Sequence, residues 1–361
     1  MTPNQPALDD AAAAAAAARR VVAGAAAHLG AEVGAADLDD HQVVAYDLAH
    51  AASAVEVAAA ALDYGGGGED EAALAGAFVA EAVTDVASRV LGRQRQWGLT
   101  VEAAAGLGEA VDRAARWRHP RHLAGLAARA GPRHLDDDHQ LLAETFRRFA
   151  DTEIAPVAGH VHRANADVPE AIIAGLAALG AFGFSVPEAY GGSAGGADGG
   201  YLAMVVATEE LSRASLGVGG SLITRPEILA RALVAGGTEE QKRRWLPAVA
   251  AGDTMAAVAV TEPDHGSDVA GITTTATRQG GRWAITGTKT WSTFAARAEV
   301  VLVLARTDPD RSQAHRGLSL FLVPKERAQG TGFVLTQAGG GRMEGRPIDT
   351  IGYRGMHSYE L

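Results

Sequence analysis

Two short stretches carry the residues best suited to chemistry. In Val260-Thr261-Glu262-Pro263-Asp264-His265-Gly266-Ser267-Asp268, a β-type run leads into a hydroxyl, a turn and a Gly-Ser pair. Such a loop presents backbone N–H groups and hydroxyls to an anion such as pyrophosphate. Taken alone, the Gly266-Ser267 pair also reads as an ordinary turn. In Gly287-Thr288-Lys289-Thr290-Trp291-Ser292-Thr293, an indole and two hydroxyls follow in close succession. If this piece is extended, Trp291 and Thr293 point to the same face. An indole beside a hydroxyl suits a flat heteroaromatic ligand with polar edges. A lone tryptophan is more often core than ligand contact, so neither stretch decides by itself.

The elements that must position these stretches change character along the chain. Up to residue 135 the sequence is a series of alanine-rich helical segments, broken at Gly65-Gly66-Gly67-Gly68 and His119-Pro120. Within them Val43, Val44, Leu48, Val55 and Leu62 recur near helical spacing, a stripe that reads as helix-packing surface. A second helical block opens at Asp136-Asp137-Asp138, acidic residues that suit a helix amino terminus, and runs to about Gly252. Beyond Met255, the runs Thr273 to Thr277, Trp283 to Ile285, Val300 to Leu304 and Leu318 to Val323 read as β-strands between Gly, Asp and Pro turns. The expected fold is therefore α+β multidomain. It has an all-α extension (1–135), a helical domain (136–252) and an antiparallel β-barrel or sandwich (253–361) that carries both candidate stretches.

Composition removes several function classes. The 361 residues hold 43 Asp plus Glu against 32 Lys plus Arg, a net charge of -11, which is the wrong sign for a general nucleic-acid binder. The cluster Arg113, Arg116, Trp117, Arg118, Arg121 and His122 accordingly reads as a solvated helix face or a contact surface. With no cysteine there are no disulfides, thiolate nucleophiles or cysteine metal sites. His160 with His162, and His134 with Asp136 and His139, do not have the spacing of a recognised metal site. The alanine run from Ala11 to Ala18 has Asp9 and Asp10 before it and Arg19 and Arg20 after it, the reverse of a signal peptide. No run of strongly apolar residues suggests a membrane span. A cytoplasmic protein without nucleic-acid or membrane partners is expected.

Several motifs in register resemble one family. Thr261-Glu262-Pro263, Gly266-Ser267-Asp268, then Gly287, Lys289, Trp291 and Thr293, and Ala305-Arg306-Thr307, resemble the flavin-binding middle domain of the acyl-CoA dehydrogenases. Upstream, Val186-Pro187-Glu188, Tyr190-Gly191-Gly192, Glu209-Glu210-Leu211 and Gly237-Thr238 with Gln241-Lys242 are similar to that family's helical domain. Downstream, Ile351-Gly352, Arg354-Gly355-Met356 and Ser358 are similar to the stretch that closes its β domain.

The resemblance implies FAD as cofactor and an acyl-CoA as substrate, which loses an α proton and a β hydride to become the 2-enoyl-CoA. It implies that Thr261 hydrogen-bonds the flavin ring with backbone help from Val260. Ser267 would meet the pyrophosphate and border the CoA channel, and Trp291 and Thr293 would flank the isoalloxazine. It also implies an electron-transfer flavoprotein or oxygen as acceptor, and a homodimer or homotetramer.

Two departures from the family shape the expectation. The family's carboxy-terminal helical bundle, which usually supplies a glutamate base, is absent, so the base is expected beyond Leu361 and the chain is expected to be a fragment of a longer polypeptide. A degenerate relative that binds flavin or acyl-CoA without turnover is the other reading. The long amino-terminal extension, with the stretch 345–358, resembles the methylsuccinyl-CoA dehydrogenase branch; another short- or branched-chain specificity is the alternative. A substrate of that branch carries a free carboxylate, for which Arg225 is the candidate partner, although an ordinary ion pair would equally explain it.

Overall fold

Alanine-rich stretches fold as helix because alanine loses no side-chain entropy there and lets neighbouring backbones come close. The structure is a computed structural model and describes residues 5–33, 38–127, 129, 131–195, 200–328, 332–337 and 339–361. The chain divides into two compact units, Met1–His134 and Leu135–Leu361.

The first unit contains α1 (Gln5–Glu32), α2 (Gln42–Gly65), α3 (Glu69–Val90), α4 (Val101–Ala114) and the short α5 (Pro120–Leu126). Its core is made by one face of each long helix: Ala11, Ala14, Ala18 and Val22 of α1, Val44, Leu48, Ala51, Val55 and Ala58 of α2, and Val79, Val83, Val86 and Val90 of α3. These positions recur at three- and four-residue steps, as a helical core face requires. Of the expected stripe, Val43 lies outside the core and is exposed. Trp117 seats its ring directly over Gly76, where an added Cβ would lie 2.5 Å from the indole. Asp47 is nearly buried and accepts from Arg89 at 2.9 Å and from Arg93. The arginines of the basic cluster are largely matched: Arg113 and Arg116 face Asp10, and Arg118 faces Glu81.

One expectation needs correction in this unit. The segment Leu38–Gly65 has the length and the mean hydropathy, 1.3, of a membrane-crossing helix. Its alanines and valines give that value; Val44, Leu48, Ala51, Val55 and Ala58 pack in the core of the unit while Val43 and Val57 are exposed, 28% of the apolar window is buried, and Asp47 and Glu56 are held in ion pairs.

The second unit begins with α6 (Asp137–Phe149), whose first turn is capped by the Asp136 carboxylate accepting from the His139 amide at 2.8 Å. A π-turn, Ala150–Ile154, leads into α7 (Ala155–Ala164). Then follow α8 (Glu170–Ala178), α9 (Tyr201–Ala214), α10 (Ser221–Gly236) and α11 (Glu239–Ala250). Thr238 and Gln241 form a reciprocal capping box at the start of α11. Phe146, Ile154, Leu176, Phe182, Leu211, Leu222 and Ile223 make the helical core.

The strands are β1 (Ala256–Ala259), β2 (Thr275–Gln279), β3 (Arg282–Thr286), β4 (Ser292–Thr293), β5 (Val300–Arg306), β6 (Leu318–Pro324), β7 (Phe333–Thr336), β8 (Arg342–Ile348) and β9 (Ser358–Glu360). They form two sheets: β1, β5, β6, β2 and β3 in the first, and β4-β9-β8-β7 in the second. The antiparallel expectation holds for β2–β3, β5–β6 and the whole second sheet. It fails for β1, which pairs with β5 in parallel, Ala256 opposite Val300 and Ala259 opposite Val303, and for the short parallel contact of β2 with β5, Thr275 opposite Arg306. The first sheet is mixed because the chain makes a long crossover between β1 and β5, and that crossover holds both candidate stretches.

Alternation along these strands gives each face its own partner. Ala256, Val300 and Leu302 pack against Leu229 and Leu233 of α10 and Leu246 and Val249 of α11. Ala257, Ala259, Val301 and Val303 face Tyr359 of the second sheet. The first sheet is thus a middle layer between helices and strands, and the loops at the end of β1 are held from both sides.

Candidate functional site

The site is built where β1 runs out. Val260 and Thr261 leave the strand and are met by Lys289 and Thr290 from the loop after β3. The Lys289 ammonium donates to the Val260 carbonyl at 2.8 Å, and the Thr290 amide donates to the Thr261 carbonyl at 2.8 Å. The approach requires Gly287, whose φ is +156° and whose added Cβ would lie 2.4 Å from the Thr274 hydroxyl.

Glu262 and Lys289 form the hub of this arrangement. Their side chains are 3% and 4% exposed, and Lys289 Nζ lies 3.0 Å from Glu262 Oε1. Oε1 also accepts from the Thr274 amide at 2.8 Å, and Oε2 accepts from the Thr273 amide and hydroxyl, both at 2.7 Å. Burial by itself pushes the Glu262 carboxyl up, but hydrogen bonds from Thr273 and Thr274 outweigh it and hold the group well below the usual carboxylate range. Burial moves Lys289 down, opposed by Glu262. A carboxylate so saturated and so firmly ionised is unfit to take a proton from a weak carbon acid.

Around the hub, the structure leaves other groups open. Thr261 makes no hydrogen bond through its hydroxyl or its amide among the described residues. Ser267 is exposed in the turn that follows, where Glu262 and His265 exchange backbone hydrogen bonds of 2.9 and 3.2 Å. Trp291 is 56% exposed. A flat exposed ring, a free hydroxyl with a free amide, and a hydroxyl-bearing turn lie on one linked pair of loops. That donor set fits a flat heteroaromatic group with an anionic tail, such as a flavin dinucleotide.

The expected common face of Trp291 and Thr293 is not realised. Trp291 takes a left-handed φ of +58°, so the chain turns there and the two-residue alternation is lost. Thr293 is buried in β4, and its hydroxyl lies 3.0 Å from that of Ser358 in β9. That contact joins β4 to β9 in the second sheet.

Arg225 sits near the start of α10, one residue before Pro226. Its Nε is buried without a hydrogen-bond partner, and among the described residues its guanidinium makes only a long bond, Nη2 to the Thr224 hydroxyl at 3.4 Å. Among the described residues it has no ion pair. The nearby Glu227 is spent on Ser185 at 3.2 Å and Arg231 at 2.8 Å. No group of three or more potential metal ligands occurs among the described residues.

Lys289, Thr273, Thr274 and Ser358 take parts in the site that sequence reasoning does not assign to them. Lys289 has a readable signal, being one of three lysines in the chain. Nothing in the sequence marks Thr273 and Thr274 as the donors that saturate Glu262, because that contact is made by folding a turn back on itself.

Comparison with known proteins follows the same outline. Residues 136–253 match the acyl-CoA dehydrogenase N-terminal domain, and residues 257–361 match the acyl-CoA dehydrogenase middle domain. The chain is 42% identical over 231 residues to the (2S)-methylsuccinyl-CoA dehydrogenase of Cereibacter sphaeroides, covering 64% of this chain and 40% of that protein. Among solved structures, a glutaryl-coenzyme A dehydrogenase in complex with glutaryl-CoA is 29% identical, with a TM-score of 0.55 over 64% of this chain and 54% of that one. A glutaryl-CoA dehydrogenase from Mycobacterium smegmatis in complex with FADH2 is 30% identical, with a TM-score of 0.51 over 63% and 52%. The chain therefore spans between two fifths and just over half of the length of these proteins. With two domain matches in the family's order, laid over a helical layer and a mixed sheet of the same fold, residues 136–361 place the chain in the acyl-CoA dehydrogenase family.

Proposed function

We propose that the chain is the flavin- and substrate-binding part of an acyl-CoA dehydrogenase, which converts an acyl-CoA thioester to its 2-enoyl-CoA. The observation that carries this reading is the open set on the linked loops: the unpaired Thr261 amide and hydroxyl, the exposed Trp291 ring and the exposed Ser267 turn, all fixed to a buried ionic hub. FAD bound there supplies the hydride acceptor for the β carbon. Thr261 donates to the edge of the flavin ring from the end of β1, with Val260 alongside, and Trp291 covers a ring face and excludes water. Ser267 donates to the pyrophosphate and borders the CoA channel. Thr293 flanks the same flavin ring from β4, where its hydroxyl lies 3.0 Å from that of Ser358. Glu262 is excluded as the base by its saturated hydrogen bonds, and no other described residue is given that role.

The preferred substrate is (2S)-methylsuccinyl-CoA, giving mesaconyl-CoA. This narrower reading is supported by the 42% identity to the Cereibacter sphaeroides protein and by Arg225, a cation with a buried unpaired Nε. A guanidinium with no ion pair among the described residues is suited to a substrate carboxylate, which it grips through two parallel bonds. An electron-transfer flavoprotein as acceptor and a homodimer or homotetramer belong to the same reading, on the strength of the family.

The test starts with binding. The chain is titrated with FAD, and quenching of flavin fluorescence with a shift of the visible bands is expected. Mesaconyl-CoA then perturbs those bands at lower concentration than crotonyl-CoA. Fused to an acyl-CoA dehydrogenase carboxy-terminal helical domain, the loaded chain is bleached faster by methylsuccinyl-CoA than by butyryl-, isobutyryl- or glutaryl-CoA. FAD that stays free in solution sinks the whole reading. Equal response to the monocarboxylates sinks only the substrate.

A further inference from the structure

A buried ion pair such as Glu262–Lys289 contributes little net stability, because desolvation of both ions cancels most of their attraction, and an apolar pair of similar size often serves the fold as well. What such a pair does supply is direction, since hydrogen bonds to an ion tolerate only narrow geometry. Its bonds here converge on one place. Lys289 Nζ holds the Val260 carbonyl at 2.8 Å and Glu262 at 3.0 Å, so the residues on both sides of Thr261 are gripped by one ammonium. The Thr261 carbonyl is taken by the Thr290 amide, next to Trp291. The backbone of Lys289 is itself fixed, exchanging bonds of 2.9 and 2.8 Å with Leu361 beside β9. Glu262 is anchored by Thr273 at Oε2 and by the Thr274 amide at Oε1, the oxygen that Lys289 also holds. The hub thus commits the groups that flank Thr261 and leaves its own amide and hydroxyl open.

We propose that Glu262 and Lys289 are positioning residues for flavin binding, a buried pair that locks the Val260–Thr261 step and the Thr290–Trp291 step in one register, so that a hydroxyl donor and an indole face are presented together. This rests on the reading that FAD binds these loops, and it adds which residues set the affinity without touching the cofactor. Neither side chain is exposed enough to meet a ligand. Their effect is transmitted through the two backbone steps they hold.

The experiment compares wild type with Lys289→Met and Glu262→Gln in the full chain. Three readouts are taken: melting by circular dichroism, exchange of the Thr290 amide in the cofactor-free chain, and the FAD dissociation constant with the visible band shape. The expected result for Lys289→Met is a folded chain, faster exchange at Thr290, an FAD dissociation constant raised about tenfold or more, and loss of the wild-type band shape. If Lys289→Met does not fold, Glu262→Gln carries the same comparison. Lys289→Arg, which keeps a cation beside Glu262, is expected to hold both the exchange rate and the FAD affinity nearer to wild type than Lys289→Met does. An unchanged Thr290 exchange rate, or an FAD affinity within twofold of wild type despite faster exchange, overturns the positioning role. Failure of the wild-type chain to bind FAD overturns the functional reading, and the positioning role with it, and is seen before any variant is made.

Discussion

Both carboxylate oxygens of Glu210, a side chain only 2% exposed, accept from the guanidinium of Arg147, Oε1 from Nη2 at 2.7 Å and Oε2 from Nε at 2.9 Å. The bidentate pair ties α9 to α6 on the helical side of the second unit. Arg147→Met removes both bonds from a buried carboxylate and leaves Arg213 at 3.7 Å. A buried charge stripped of its bidentate partner destabilises the fold, so a lower urea midpoint with an unchanged slope is expected. The double variant Arg147→Met, Glu210→Gln recovers part of that loss, because the buried charge is gone; no recovery would mean that the pair is not coupled.

Two glycines in the first unit respond in opposite directions to the same change. Gly76→Ala drives a methyl group into the Trp117 ring, 2.5 Å away in the existing packing, and is expected to lower stability by about 2–3 kcal/mol. Gly108→Ala, in α4 with nothing within 4 Å of the new Cβ, is expected to raise it by roughly 0.5–1 kcal/mol through helix propensity. Thermal melts of the two variants beside wild type decide the matter. Equal shifts would disprove the Gly76–Trp117 contact.

Lys325 gives stability a pH dependence in the alkaline range. Burial pushes its ammonium down from 10.5 to about 8, while its protons are shared with the carbonyls of Ala296 and Glu326, both at 2.7 Å. Between those values the unfolded chain binds more protons than the folded one, so this group makes stability rise with pH from about 8 toward 10.5 and loses that contribution as pH falls through 8. Tyr359 acts in the other direction. Burial, then the charge of Asp167, raises it from 10.0 to about 12, so its contribution is complete below 10 and is lost as pH rises toward 12. Urea midpoints measured from about pH 7.5 to 10 are expected to climb in wild type, and Lys325→Met is expected to flatten the climb. A slope that survives the substitution would assign it to another group.

Arg225 is tested by charge and shape together. Arg225→Gln and Arg225→Met are expected to weaken mesaconyl-CoA binding about tenfold or more, leave crotonyl-CoA within about twofold, and leave FAD binding unchanged. Equal weakening of both ligands would show that Arg225 supports the pocket and does not read the carboxylate.

The change from helix to strand near Gly252 was legible because alanine-rich helical spacing stops there and short β-branched runs begin; β5 and β6 start where Val300 and Leu318 led, whereas β3 starts at Arg282, one residue before the expected Trp283, and β2 at Thr275, two residues after the expected Thr273. The parallel pairing of β1 with β5 was not legible. Two apolar strands look alike whichever way they run, and only the long crossover between them sets the direction. The Thr261 and Ser267 loops were visible as hydroxyls and turns, but the hub beneath them was not. Glu262 beside Pro263 reads locally as a turn acid, and its lysine lies 27 residues away. Trp291 shows the same limit, for a left-handed φ at a bulky aromatic is imposed by the surrounding structure and has no signal of its own.

The return of residues 355–357 to the helical layer has a consequence for the order in which the second unit assembles. Val168 donates to the Gly355 carbonyl, Arg354 donates to the His162 carbonyl across 192 residues of chain, and Gly355 lies against Val161, Val168 and Val218. At roughly 5–20 residues per second of synthesis, the apolar side chains of α7 and of the link before α8 wait about 10–40 s on the ribosome for their covering segment. Contacts so distant in sequence also close slowly once both ends exist. Val161 and Val168 therefore stay without this cover on the nascent chain until residues 354–357 have been made.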